Sequence, residues 1–244
     1  KDIRIGDHVI IERAGEVIPQ VIGPVIGSRT GDEIPFEMPA LCPSCSSQVF
    51  KVQGEAAHRC GNATCPSQQF EKIKHFVSKS AMDIEGLGEK LVRQLLDLNI
   101  IKEFSDLYYL QNEHLLDVDR MGEKSITNLL NAIEESKYRP LSSLISALGI
   151  LHVGSETSEL LAKQFKSIDT IASVRLEDFE AVPGIGSIVG AALYAYFQNS
   201  GNLAIIEKLR LSGVRMVENE SAQAAGLPEP LKDLRFVITG KIDG

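Results

Sequence analysis

Four cysteines are the residues of this chain best suited to hold a metal ion. Cys42 and Cys45 form a Cys-Pro-Ser-Cys pair, and after fourteen intervening residues Cys60 and Cys65 form a second pair with four residues between them. Two close pairs, joined by a strand-like segment at 48–53, can bring four thiolates to the corners of a tetrahedron. The spacing therefore predicts a structural Zn²⁺ site.

A site with four protein ligands leaves no coordination position for an activated water, so the metal should fold this module and perform no catalysis. Disulfides and an iron–sulfur cluster are the alternatives. We favour zinc because a cytoplasmic chain keeps paired thiols reduced. His58 lies close to the second pair, but with four cysteines present we expect it at the surface or behind the ligands.

A second pattern, repeated four times, indicates a site for phosphate. Four glycines recur at intervals of 34, 32 and 32 residues, each preceded by an apolar residue and followed seven positions later by leucine. They are Gly88, Gly122, Gly154 and Gly186, and they define hairpins one to four. Buried anchors on both sides of a tight turn predict two short helices joined by a hairpin, the helix-hairpin-helix motif.

Glycine suits such a turn because it permits positive φ and lets a ligand approach the backbone. The amides lie at the start of the second helix, where free N–H groups and the helix dipole favour an anion such as phosphate. A repeat with a purely structural role is the alternative, but packing alone does not require a small residue at the same turn position four times.

The hairpins differ in their charged residues. Lys90 and Lys124 stand two positions after the first two glycines and could add charged contacts. Two positions before the glycines, hairpins one and four carry Gly86 and Gly184, whereas hairpin two carries Arg120 and hairpin three carries His152. We expect less exposed backbone in the middle pair, with Arg120 restoring charge.

Composition limits the classes of protein. The chain has 244 residues, of which 43% are hydrophobic and 24% charged, so it is long enough for two or more domains. No apolar stretch reaches membrane-spanning length and no secretion signal is evident, so we expect a cytoplasmic protein, and a monomer. A net charge of −8 argues against DNA binding through a wide basic surface, but backbone amides can still bind phosphates at chosen points.

The sequence patterns at the two ends of the chain are typical of parts of larger β-domains. Alternating apolar residues in the first 26 positions predict strands of an incomplete sheet. Leu227-Pro-Glu-Pro230 is typical of a linker, and Leu234–Gly240 predicts a single buried strand. We interpret the chain as an interior fragment, because one strand has nothing to pack against.

Six stretches together closely resemble bacterial NAD-dependent DNA ligases. They are Asp2-Ile-Arg-Ile-Gly-Asp7, Arg13-Ala-Gly-Glu-Val-Ile-Pro19, Cys42-Pro-Ser-Cys45, Arg59-Cys-Gly-Asn-Ala-Thr-Cys-Pro66, Met82-Asp-Ile-Glu-Gly-Leu-Gly-Glu-Lys-Leu91 and Gly122-Glu-Lys-Ser125. The resemblance implies a mainly α, multidomain fragment: the end of an OB-fold (1–37), a Cys₄ zinc finger (38–69), four tandem helix-hairpin-helix motifs (70–218), a linker (219–230) and the first strand of a BRCT domain (231–244).

The resemblance also implies a function. Such enzymes transfer AMP from NAD⁺ to their own lysine, then to the 5′-phosphate at a nick in duplex DNA, and seal the nick with Mg²⁺ present. This fragment would grip duplex DNA and carry no catalytic residue. The implied DNA contacts are Arg13, Gly86, Gly88, Lys90, Arg120, Gly122, Lys124, Gly154, Gly184 and Gly186. Leu151 stands where the family usually has arginine, so hairpin three lacks that charged contact.

The final Lys241-Ile-Asp-Gly244 spells the sequence at which nucleotidyltransferases form lysyl-AMP. We reject that assignment, because an adenylated lysine needs a surrounding nucleotide pocket and a lowered pKa. Two other functions are alternatives to that of a DNA ligase fragment. A helix-hairpin-helix DNA glycosylase would carry one hairpin and an iron–sulfur cluster, and a non-catalytic module of a repair nuclease or junction-binding protein would use its finger for docking.

Overall fold

The computed structural model describes residues 1–14, 18–51 and 57–218, and the chain divides into two compact units, 1–68 and 69–244. The predicted linker at 219–230, the predicted BRCT strand at 231–244 and the terminal Lys-x-Asp-Gly sequence lie outside the described residues.

The first unit is built from short antiparallel strands. They are β1 (Arg4–Ile5), β2 (Val9–Ala14), β3 (Ile18–Pro24), β4 (Ile34–Pro35), β5 (Val49–Lys51) and β6 (His58–Cys60). In the described ranges 1–14, 18–51 and 57–68, these strands form three two-stranded sheets: β1 with β4, β2 with β3, and β5 with β6. A 3₁₀ turn follows β3 at Ile26–Ser28. The strands predicted in the first 26 residues agree with β1, β2 and β3.

A buried carboxylate ties the segments of this unit together. The Asp7 side chain is fully inaccessible, and Arg29 donates to it from Nε at 2.7 Å and Nη2 at 2.8 Å, while the Arg4 amide donates at 2.7 Å. These hydrogen bonds, chiefly that from Arg29, stabilise the charged carboxylate and lower the pKa of Asp7 to about 2. Asp2 joins the cluster, because its Oδ2 lies 3.0 Å from Arg29 Nη1.

The second unit is helical. Its elements are α1 (Pro66–Phe76, which begins at the end of the first unit), α2 (Glu89–Asp97), a 3₁₀ helix (Phe104–Tyr109), α3 (Asn112–Leu115), α4 (Glu123–Ser136), α5 (Leu141–Ala147), α6 (Ser155–Phe165), α7 (Ile168–Ser173), α8 (Leu176–Glu180), α9 (Ser187–Gln198) and α10 (Ser200–Leu211). The prediction of a mainly α fold is confirmed. Within the described ranges, no helix is long and apolar enough to cross a membrane.

The four hairpins are α1 with α2, α3 with α4, α5 with α6, and α8 with α9. Their predicted anchors form the core. The leucines seven positions after each glycine are at most 2% exposed, and the aliphatic residues four positions before are at most 7% exposed. The leucines are Leu95, Leu129, Leu161 and Leu193, and the earlier anchors are Ile84, Val118, Ile150 and Val182. Burying each leucine contributes about 1.5–3 kcal/mol, so the repeated positions hold each second helix in place.

Aromatic side chains complete the core beside hairpins one and two. Phe76 stacks on Phe104 with ring centroids 4.5 Å apart and meets the edge of Tyr108 at 6.2 Å. The Tyr108 hydroxyl is hydrogen-bonded to Ser136 Oγ at 3.0 Å. Burial raises the pKa of Tyr108 to about 12, so this hydroxyl stays protonated and satisfied inside the core.

Candidate metal centre and nucleic-acid interface

The four cysteines converge on one point. Their sulfur atoms all lie within 4.8 Å of one another, with Cys42 Sγ 3.9 Å from Cys65 Sγ and Cys45 Sγ 3.4 Å from Cys60 Sγ. These separations are far longer than the ~2.05 Å of a disulfide bond. They match the ~3.8 Å expected between sulfurs that surround one tetrahedral zinc ion at ~2.3 Å.

Two tight turns present the cysteine pairs. In the first, the Ser46 amide donates to the Cys42 carbonyl at 2.8 Å, and Ser46 has a φ of 56°. The Cys42 amide donates to the Ser47 carbonyl, also at 2.8 Å. In the second, the Asn62 amide donates to Cys60 Sγ at 3.4 Å, a contact that supports a thiolate.

The charge state of this cluster favours a cation at its centre. Hydrogen bonding by Ser47 lowers the pKa of Cys45 to about 6. The Asn62 amide lowers the pKa of Cys60, but burial and the neighbouring thiols outweigh it and raise that pKa to about 12. Four sulfurs so close together do not all ionise without a cation, and Zn²⁺ fits this donor set. Ser47 was not among the predicted site residues, and its one signal in the sequence is its position two residues after Cys45.

His58 is exposed in β6, where it pairs with Lys51 of β5. Among the residues that the structure describes, the metal-binding cluster consists of the four cysteines.

All four hairpin turns share one backbone geometry. In each, the residue before the glycine donates its amide to the anchor three positions earlier: Leu87 to Ile84 at 3.4 Å, Met121 to Val118 at 3.2 Å, Val153 to Ile150 at 3.0 Å and Ile185 to Val182 at 3.0 Å. The third residue of each turn has positive φ: 87° at Gly86, 63° at Arg120, 65° at His152 and 94° at Gly184. A β-turn with positive φ at its third residue is of type II.

The recurring glycines lie one residue after each four-residue turn, and the expectation that they need positive φ is wrong. Gly88, Gly122, Gly154 and Gly186 have φ values of −75°, −84°, −95° and −81° and serve as N-caps of α2, α4, α6 and α9. Any residue can adopt this conformation. The strained position lies two residues earlier, and Arg120 and His152 adopt it as the glycines do. The turn backbone is therefore the same in the middle pair of hairpins.

The space beside the N-cap glycines is open. A Cβ added to any of the four would have no atom of the described residues within 4 Å. No described side chain caps these four helices, whereas Ser167 caps α7 and Asn199 caps α10. The first-turn amides of α2, α4, α6 and α9 thus have no side-chain acceptor among the described residues, and the open space beside each N-cap admits an anion from outside the chain.

Charged side chains surround the turns unevenly. Lys90 and Lys124 are exposed and make no ion pair with other described residues. The Arg120 side chain is 87% exposed, with Nε 3.5 Å from Asp119 Oδ2. Arg13, by contrast, lies in β2 of the first unit, opposite Pro19.

Acidic residues also occur in these first turns: Glu89 in α2, Glu123 in α4 and Glu156 in α6. The first turn of α9 contains none. The dipole at the start of α9 is therefore not offset by a carboxylate of its own first turn.

Known protein families match both the cysteine-containing segment and part of the hairpin region of this chain. The NAD-dependent DNA ligase C4 zinc finger matches residues 42–66, and a helix-hairpin-helix motif family matches residues 143–206. The chain is 46% identical over 242 residues to a DNA ligase of Syntrophus aciditrophicus, 46% identical over 244 residues to that of Rubrobacter xylanophilus, and 44% identical over 243 residues to that of a Thermoanaerobacter species.

These alignments cover 99%, 99% and 100% of this chain but only 35%, 35% and 36% of the relatives. The chain thus spans about a third of the DNA ligases that it matches. The resemblance to NAD-dependent DNA ligases is confirmed, as is the expectation of a structural zinc ion, since the matched finger contains the four clustered cysteines.

Proposed function

We propose that this chain is the DNA-binding portion of an NAD-dependent DNA ligase and that its four hairpin turns hold the phosphates of duplex DNA. One observation carries the proposal. Four equivalent glycines with unstrained φ adjoin open space, so neither backbone conformation nor internal packing accounts for the missing side chains. An external partner that approaches the backbone closely does account for them.

The uncapped backbone amides at the four helix starts indicate the chemistry of the partner. Uncapped amides at a helix start attract anions, each N-terminus contributing about 0.3–1 kcal/mol. One such contact gives little affinity, because 1.4 kcal/mol is needed for a tenfold change in binding. Four contacts on one chain add up, and a sugar-phosphate backbone supplies anions at regular intervals. Backbone contacts to phosphate carry little base information, so we expect binding that is largely independent of sequence.

Side chains at the hairpins modify this contact. Lys90, Lys124 and Arg120 bring positive charge to hairpins one and two, where Glu89 and Glu123 oppose it. Since the whole chain carries a net charge of −8, repulsion away from the turns limits non-specific coating of DNA. We therefore expect moderate affinity, concentrated at the turns.

The remaining assignments belong to the same proposal. Residues 1–37 are the end of an OB-fold whose Arg13 contacts DNA, 38–69 the finger with Cys42, Cys45, Cys60 and Cys65 as zinc ligands, and 70–218 the hairpin domain. The partner is nicked duplex DNA, the protein acts as a cytoplasmic monomer, and the longer enzyme uses NAD⁺ and Mg²⁺ to seal the nick. Its nucleotide-transfer residues lie outside this chain.

A non-catalytic hairpin module of a repair nuclease or junction-binding protein is not favoured. Such a module accounts for the hairpins but not for a finger of the DNA ligase type at 42–66, nor for similarity to DNA ligases along the whole chain.

The test is duplex binding by glycine variants of the full chain. Gly88→Val and Gly186→Val place branched side chains where phosphate would approach, and we expect each to weaken binding of nicked duplex DNA about two- to fivefold, equally for unrelated sequences. Fluorescence anisotropy measures the affinity, and circular dichroism checks that the helices persist. Ala204→Val, at an exposed position of α10, is the control and should bind as the parent does. Unchanged binding by both glycine variants, or loss for selected sequences only, contradicts the proposal.

A further inference from the structure

We infer that His152 is a DNA-contacting residue. At the third position of its turn, hairpin three offers the imidazole of His152 to DNA, whereas hairpins one and four have glycine there and offer only backbone. The inference rests on the proposed DNA-binding function. His152 occupies the third position of its turn, immediately before Val153 and the N-cap Gly154. Its side chain therefore leaves the chain three residues before Ser155, the first of the α6 amides that we assign to phosphate.

The backbone at His152 is strained without a structural need for a side chain. Its φ of 65° is unfavourable for a residue with a Cβ, and the equivalent positions of hairpins one and four are glycine, which carries no such strain. His152 is exposed, and its ring makes no hydrogen bond to the part of the chain that the structure describes. Neither packing nor an internal hydrogen bond of the ring therefore offsets the free-energy cost of the positive φ at His152. This points to an external partner.

The glycines of the outer hairpins lie beside leucine side chains, which distinguishes them from the exposed residues of the middle hairpins. A Cβ at Gly184 would lie 3.3 Å from Leu160 Cδ2, and one at Gly86 would lie 3.8 Å from Leu129 Cδ1, so both outer turns lie against a neighbouring helix. The turns of the middle hairpins carry Arg120 and His152, and both residues are exposed. The outer turns therefore lie close to a leucine side chain, tightly at Gly184 and in ordinary van der Waals contact at Gly86, whereas the middle turns expose a polar side chain.

The imidazole of His152 is a suitable hydrogen-bond donor for a DNA phosphate. At least one ring nitrogen carries a hydrogen in either charge state, so His152 can donate to a phosphate oxygen whether or not it is protonated. The acidic residue nearest along the helix is Glu156, in the first turn of α6, and it makes no ion pair with other described residues. Donation by the ring therefore does not depend on a permanent charge, unlike that by Arg120 in the equivalent position of hairpin two.

The test separates folding from binding in the full chain. His152→Gly relieves the positive φ, so Tm should stay the same or rise by about 2 °C. The same variant should bind nicked duplex DNA about threefold more weakly, because one phosphate hydrogen bond is lost. His152→Arg should bind more tightly, and the slope of log K against log salt should steepen by about 0.9 because one more phosphate is neutralised.

Lys166→Gly is the matched control. Lys166 also has positive φ, at 64°, and a cationic side chain, but it lies at the opposite end of α6 from Gly154. Eleven helical residues separate the two ends by about 16 Å. This variant should gain similar stability and leave DNA binding unchanged.

The outcomes distinguish the inference from the function on which it rests. If His152→Gly binds as the parent does while Gly154→Val binds more weakly, the inference is wrong and the hairpin function stands. If neither variant alters binding, the DNA contact at hairpin three fails altogether. A clear fall in the Tm of His152→Gly would show that the ring supports the fold, and this also overturns the inference.

Discussion

Gly86 and Gly88 lie on either side of the buried Leu87, yet they have opposite backbone conformations and different neighbours. Gly86 has a φ of 87° and faces Leu129, whereas Gly88 has a φ of −75° and faces open space. The first glycine serves the turn, and the second leaves room beside the helix start. The same division recurs at Gly184 and Gly186.

This division predicts opposite effects of substitution. Gly86→Ala forces a Cβ into positive φ, costs about 1–2 kcal/mol and should lower Tm by several degrees. Gly88→Ser supplies the missing cap, because its Oγ can accept from the first-turn amides of α2, and should stabilise the chain by a few tenths of a kcal/mol. Yet Gly88→Ser should weaken DNA binding, since the serine oxygen occupies the amides offered to phosphate.

Thermal unfolding and duplex titration of the same samples check both effects. Ser167→Gly removes an existing cap from α7, outside the hairpins, and should lower Tm slightly without altering DNA binding. Tighter DNA binding by Gly88→Ser would contradict the role assigned to these amides.

The finger should contain one zinc ion per chain. Cys45→Ser or Cys60→Ser removes a thiolate from the cluster, and elemental analysis should then show the zinc content fall from about one per chain towards zero. The hydrogen bonds around Ser46 and Asn62 should loosen as the finger loses its shape. Since β6 presents His58 to solvent, His58→Ala should retain the metal. Stoichiometric iron, or no metal in the parent chain, would refute the zinc assignment.

The Asp7 cluster predicts the acid response of the first unit. The pKa of Asp7 is lowered to about 2, chiefly by hydrogen bonds from Arg29. Because the folded pKa lies below the unfolded value of about 3.9, the stabilisation is fully present above pH ~4 and is lost as the pH falls through about 2. Arg29→Met should raise the pKa of Asp7 and shift acid unfolding to higher pH.

Carboxyl carbon shifts in an NMR titration report the pKa of Asp7 directly, and circular dichroism follows unfolding. Arg175→Met removes an exposed pair with Asp178 in the helical unit and should leave Asp7 unchanged. An Asp7 that titrates near its ordinary value in the parent chain would show that the Arg29 contact does not persist in solution.

The sequence alone determined the hairpin repeat and the cysteine pairs. Helical spacing from Ile84 through Gly88 to Leu95 is local information, repeated four times, and a closely spaced pair such as Cys42 and Cys45 predicts a metal site before any fold is known. The buried anchors and the convergence of the sulfurs agree with these predictions.

Only the tertiary structure decided which turn residue bears the strain and what each glycine faces. Sequence spacing treats Gly86 and Gly88 alike, because neither φ nor open space is encoded by residue type. The contact of Gly184 with Leu160, and the strained φ at His152 with no internal partner, depend on how separate helices pack and how the turn closes. Those properties arise from contacts between residues distant in the chain, which periodicity cannot report.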